Sequence, residues 1–116
     1  MKSSGDFTKI LLYGHPTDMR KQSQSLAVIV EDELGLSPFE EGCLFIFCNR
    51  KRDILKALYF DRAGFCMWVK KLDEGRFPWV KNENGTVSMA AKDIDLVCDG
   101  VDVFKRHKKL IFSSTS

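Results

Sequence analysis

The sequence predicts an α+β fold: an antiparallel β-meander with one long N-terminal helix packed on it and a short C-terminal helix. Three observations carry that reading. The apolar, β-prone runs 43–48, 54–60 and 65–69 follow one another with only Asn49–Asp53 and Asp61–Gly64 between them, which are hairpin-length interruptions. Upstream, Met19, Leu26, Ile29, Val30 and Leu34 follow a helical period. Downstream, Ile94, Val97 and Cys98 do the same over a shorter stretch.

In chain order, residues 9–13 (KILLY) read as a short first strand, ended by Gly14-His15-Pro16. Thr17 is placed as a helix N-cap, with Asp18 in the first turn, where a carboxylate complements the helix dipole. Gly35 is positioned to close that helix, and Pro38 prevents its continuation. Along the meander, Leu55, Ala57 and Tyr59 point one way and Ile54, Lys56, Leu58 and Phe60 the other. Phe65, Met67 and Val69 likewise oppose Cys66, Trp68 and Lys70, and Gly64 is expected to supply a positive φ in the second turn. Both faces carry large apolar groups, so the helix should cover one, and the termini or another chain part of the other. Residues 82–85 read as a turn, 86–89 as a further short strand and 91–99 as the C-terminal helix, closed by Gly100. Residues 1–104 are therefore taken as a single domain and 105–116 as a basic C-terminal extension.

A chain of 116 residues with 44% hydrophobic and 29% charged side chains matches an ordinary single globular domain. No apolar run approaches the roughly 18 residues of a membrane span, and the N-terminal segment lacks a secretory pattern. Cys43, Cys48, Cys66 and Cys98 have no C-x-x-C spacing and sit in hydrophobic runs, as small buried hydrophobes do in a reducing cytoplasm. His15 and His107 have no ligand-spaced neighbours, and no phosphate loop or hydrolase motif occurs, so no metal, cofactor or catalytic site is expected. Asp18, Asp53 and Asp61 would suit a two-metal nuclease only if folding gathered them. Each also suits a helix start or a strand–turn junction.

The net charge of +2 hides a basic middle. Between Asn49 and Lys81, nine basic side chains stand against four acidic ones. The candidate nucleic-acid-binding residues are Arg20, Lys21, Arg50, Lys51, Arg52, Arg62, Lys70, Lys71, Arg76 and Trp79. Clustered cations attract phosphates through counterion release, guanidinium offers a planar fork of donors, and an exposed indole can stack on a base or wedge beside it. The same pattern equally fits a solvated basic face whose aromatics lie in the core. It does not separate DNA from RNA or from an acidic protein surface.

Several of these residues form longer motifs. Gly14-x-x-Thr17-Asp18-Met19-Arg20-Lys21, Leu44-Phe45-x-Phe47-x-Asn49-Arg50-x-Arg52-Asp53, Lys56-x-Leu58-Tyr59-x-Asp61-x-x-Gly64-Phe65-x-x-Trp68-x-Lys70 and Gly75-Arg76-Phe77-x-Trp79 occur in that order. They resemble the TnpB accessory proteins of insertion sequence 66-type elements, over roughly residues 9–102. The resemblance implies a bacterial mobile-element protein, encoded beside a separate transposase that holds the catalytic machinery, with no established catalytic activity of its own. DNA and that transposase become the implied partners, and the alternative is a module that binds the transposase or itself without touching nucleic acid. Val80 departs from the proline common after Trp79 in that family, and Ala90-Ala91 from a Thr-Pro helix start. The second change removes a cap worth about 1 kcal/mol, so the last helix should fray at its N-terminal end.

Overall fold

Residues Cys43–Cys48 form strand β2, and all six side chains are buried. A strand apolar on both faces belongs inside a sheet that is covered on both sides. The computed structural model, which describes residues 4–79 and 86–100, shows such a sheet. Its strands are β1 (Lys9–Tyr13), β2, β3 (Ile54–Asp61), β4 (Gly64–Lys71) and β5 (Thr86–Ser88), in the order β4-β3-β2-β1-β5. The expected turn at 82–85 and extension at 105–116 lie outside the described residues.

The helix-on-meander arrangement is corrected by this topology. Only β2, β3 and β4 form an antiparallel meander, while β1 lies parallel to β2, from Lys9 beside Cys43 to Leu12 beside Ile46. The sheet is therefore mixed, with β5 antiparallel on the far side of β1. Parallel neighbours cannot be joined by a hairpin and need a crossover. Helix α1 (Ser23–Asp32) is part of that crossover, and it is short, ten residues rather than the long helix expected from Thr17.

The missing first turns have a physical cause. A helix at 17–22 would direct the carbonyls of Met19 and Lys21 to N–H groups four residues on. Instead both accept from the Lys56 ammonium, at 2.7 and 2.8 Å. The Asp18 carboxylate folds back onto the Arg20 backbone N–H and guanidinium, a local bond that competes with helix. Thr17 is no cap either. It is buried, and its N–H donates to the Cys48 carbonyl at 2.9 Å, continuing the end of β2. Met19 keeps an apolar contact with the helix-side core, but from a loop.

The side-chain alternation read along β3 matches the packing. Leu58 joins Leu11, Phe45 and Phe47 beneath Leu26, Ile29 and Val30 of α1. Leu55, Ala57 and Tyr59 face the other way, with Leu12, Leu44 and Ile46. There the cover comes from Phe7, Phe77, Trp79 and helix α2 (Ala91–Cys98), through Ile94 and Val97. The sheet is thus the middle of three layers. Ala90 precedes α2 with no side-chain cap bond.

Lys56 is 6% exposed, and the two carbonyls supply the hydrogen bonds that its buried Nζ would otherwise lack. Replacing it by methionine keeps the stem but strands both acceptors. Lys56→Met should lose about 1–3 kcal/mol in urea unfolding, with faster amide exchange across residues 17–22.

Candidate functional site

The β2–β3 connection is a tight, internally bonded loop. Asn49 Oδ1 accepts from the N–H groups of Asp53 and Ile54 at 3.0 and 3.1 Å, and its Nδ2 donates to the Asp53 carboxylate at 2.6 Å. The Arg52 N–H closes a turn onto the Asn49 carbonyl at 3.1 Å, with Arg52 itself at φ 60°. The Asn49 N–H also donates to the Ile54 carbonyl at 3.2 Å, so four residues, 50–53, make the tip, and Arg50 and Lys51 are exposed at its apex.

Two further backbone bonds fasten the segment after β4 to this loop. The Leu72 N–H donates to the Asp53 carbonyl at 2.8 Å, and the Phe77 N–H to the Arg52 carbonyl at 2.6 Å. In the β3–β4 ladder, Ile54 lies beside Lys71 and Leu55 beside Lys70. Arg50, Lys51, Arg52, Lys70, Lys71 and Arg76 therefore occupy one end of the sheet. The loop of Arg20 and Lys21 is tied to the same end through the Lys56 ammonium and the Thr17–Cys48 bond.

The members of this set differ in freedom. Arg50, Lys51, Lys71, Arg76 and Lys21 are exposed. Lys70 lies 3.8 Å from Asp99, and Arg20 pairs with Asp18 at 2.6 Å. That guanidinium holds the Asp18 carboxyl well below the usual carboxylate range. Arg52 is half-buried, its Nη1 is fully enclosed with no partner among the described residues, and its charge faces Cys48.

Two predicted site residues leave the set. Arg62 lies in the turn at the other end of the β3–β4 hairpin, roughly 25 Å away by strand rise, where its N–H donates to Glu41 at 2.7 Å. Arg62, at φ 59°, takes the positive φ of that two-residue turn, the role expected of Gly64. Trp79 is 9% exposed, and its Nε1 donates to the Tyr13 carbonyl at 2.9 Å. Its ring is core and offers no face to a base.

The carboxylates do not gather. Asp18 is committed to Arg20 and Asp53 to Asn49, while Asp61 ends β3 roughly 25 Å from Asp53, far beyond a two-metal site. Among the described residues no group of three His, Cys, Asp or Glu could hold a metal ion. Burial pushes the Cys48 and Cys98 thiols up to about 11, so neither is a ready nucleophile. Among the described residues no helix is long and apolar enough to cross a membrane.

Sequence reading misses Lys56 as an organiser of the basic end. A lysine alternating with apolar neighbours inside a strand is the available signal, but nothing local names its acceptors. It also misses Tyr13, whose hydroxyl donates to the Glu33 carboxylate at 2.9 Å.

Trp79→Phe should cost about 1 kcal/mol of stability, through the missing bond to Tyr13, and leave any nucleic-acid affinity unchanged in the same preparation. Burial, then the Glu33 bond and charge, raise the Tyr13 hydroxyl from 10.0 to about 12. Its contribution to stability is whole below pH 10 and is lost as pH rises toward 12, so Tyr13→Phe should flatten that part of the unfolding-versus-pH curve.

Comparison with known proteins is consistent with the motif resemblance. A Sinorhizobium fredii protein, uncharacterized protein y4hO, is 34% identical over 102 residues, covering 88% of each chain. A second from that organism, uncharacterized protein y4jC, is 27% identical over 101 residues, covering 87% of this chain and 86% of its own. No solved structure matches. The family model described as IS66 Orf2 like protein matches residues 8–108, and with that span and these relatives the chain belongs to the IS66 Orf2-like family, which places it with insertion-sequence transposition as an accessory protein.

Proposed function

We propose that this accessory protein is non-catalytic and holds DNA by its phosphate backbone, with the basic end of the sheet as the contact surface. One observation carries the reading. Six cationic side chains from three separate segments are drawn to one end by the β3–β4 register and by the backbone bonds of Leu72 and Phe77. The acids of those segments are fewer: Asp53, whose carboxylate is taken by Asn49, with Asp73 and Glu74.

The backbone at the loop tip supports the same reading. A non-glycine residue in the left-handed region costs about 1–2 kcal/mol, and glycine or asparagine would avoid most of it. The chain instead places Arg52 there, at φ 60°. Arg62 takes the same conformation in the other turn, so Arg52 is set apart by its place beside Arg50 and Lys51 and not by the strain itself.

Such binding would be sequence-tolerant, since phosphates position a protein without reading bases. Arg50→Ala, Lys51→Ala, Lys70→Ala and Lys71→Ala combined should weaken binding to element-end DNA by one to three orders of magnitude at about 0.1 M salt. The log K against log salt slope should flatten by about 0.9 for each phosphate that is no longer neutralised. Unchanged affinity and slope in a folded variant would remove the proposal.

A second reading has an observation of its own. Phe39, Phe60 and Phe65 form a mutually packed trio, with ring centroids 5.3–5.4 Å apart, and Phe39 is 54% exposed. Such a surface suits contact with the transposase. Phe39→Ser should then abolish capture of the transposase while leaving the salt slope for DNA intact.

A further inference from the structure

The two edges of the sheet are unequal. Among the described residues β5 is three residues long, whereas β4 runs for eight and pairs on one side only, with β3. Its register is continuous from Ile54 beside Lys71 to Asp61 beside Gly64, with no bulge, and β4 contains no proline. Large apolar groups on both faces of β4 remain half-buried, Phe65 and Met67 on the α1 side and Cys66 and Trp68 on the α2 side. Val69 is 49% exposed. Long, unbulged, apolar edges are templates for another strand, and proteins usually blunt them.

The arrangement of β4 identifies what suits it. Asp61 and Gly64 close a two-residue turn, so by antiparallel alternation Gly64, Cys66, Trp68 and Lys70 direct their backbone groups to β3. Phe65, Met67, Val69 and Lys71 then direct theirs outward. We propose that β4 pairs antiparallel with β4 of a second copy of this chain, about a two-fold axis at Trp68, joining two five-stranded sheets into one of ten strands.

In that register Met67 lies opposite the second copy's Val69, and Phe65 opposite its Lys71, so outward-facing backbone groups meet. The lysines confined to one end of β4 oppose Phe65 and Cys66, never each other, which removes the like-charge penalty a lysine-tipped edge normally imposes. The pairing also brings the Lys70–Lys71 end of each copy alongside the other's β3–β4 turn. That turn carries Asp61 and the exposed Arg62, and Glu41 accepts from the Arg62 N–H, so two carboxylates stand there against one guanidinium. Opposite charge thus meets at both ends of the ladder, a complementarity that a parallel pairing would lose. This pairing shares Lys70 and Lys71 with the DNA reading but does not rest on it, because it is argued from the backbone edge of β4 and is tested without DNA.

Sedimentation across a concentration series, with amide exchange read residue by residue, tests it. The expected result is a concentration-dependent dimer in which the Phe65, Met67, Val69 and Lys71 amides slow as dimer forms. Val69→Lys should weaken the dimer at least about tenfold. Val28→Lys, at an equally exposed apolar position on α1, should change it less than about twofold. A chain that stays monomeric throughout overturns the proposal. So does a dimer whose β4 amides exchange as in the monomer, or protection that arises only when transposase is added. Exchange on the unmutated protein decides the matter even if Val69→Lys fails to fold.

Discussion

Burial of β2 on both faces is the constraint from which the architecture follows. Six consecutive apolar residues cannot line a sheet with a wet side, so the chain has to supply two covering layers. It does so economically because β1 lies parallel to β2. The crossover this forces across residues 14–42 carries α1 over one face, while β4 delivers the chain back toward the opposite face, where Phe77, Trp79 and α2 close it. Gly42 is pinched where the crossover rejoins the sheet. At φ 86° its carbonyl accepts the Thr8 N–H at 2.8 Å, and a Cβ there would meet Thr8 Oγ1 at 3.0 Å.

Lys56 links this core to the basic end. Its ammonium sits under the loop of residues 19–21 and satisfies two carbonyls that no helix uses. Without a cation there, the loop would need water or a helical turn to satisfy the same groups. One buried side chain therefore decides both where α1 begins and where Arg20 and Lys21 stand relative to the β2–β3 tip.

How far the fold can be read in advance follows from whether the deciding contacts are local. The strands at Lys9–Tyr13 and Cys43–Cys48 announce themselves by composition, and the β3 alternation follows from a period of two. Ala91–Cys98 is visible as a helical period ended by glycine. The parallel placement of β1 is not, because nothing within KILLY states which strand it will adjoin. The helix start is misread for a related reason: Thr17-Asp18 is a good local cap, but Lys56 and Cys48, far along the chain, claim the backbone groups a helix would need. Among the candidate residues, Arg50 to Arg52 are legible as a charged turn. The distance of Arg62 from them is not, because adjacent hairpin turns lie at opposite ends of their shared strand, and neither is the burial of Trp79, because an indole reads alike whether buried or exposed.

The separation of core and charge also explains why the exposed side chains of the basic end impose little on the fold. Its exposed cations sit on the 50–53 loop and on the strand end and segment fastened to it, in a geometry set by Asn49 and by main-chain bonds from Leu72 and Phe77, groups that carry no net charge. Side chains at 50, 51, 71 and 76 can therefore change while the backbone that presents them stays fixed. Arg52 differs, because its enclosed Nη1 and its charge beside Cys48 tie it to the interior. A phosphate approaching this end would meet exposed cations on a rigid frame, so the ordering cost of binding falls on side chains alone. A loop lacking those internal bonds would have to order its backbone as well, at about 1–2 kcal/mol for each residue.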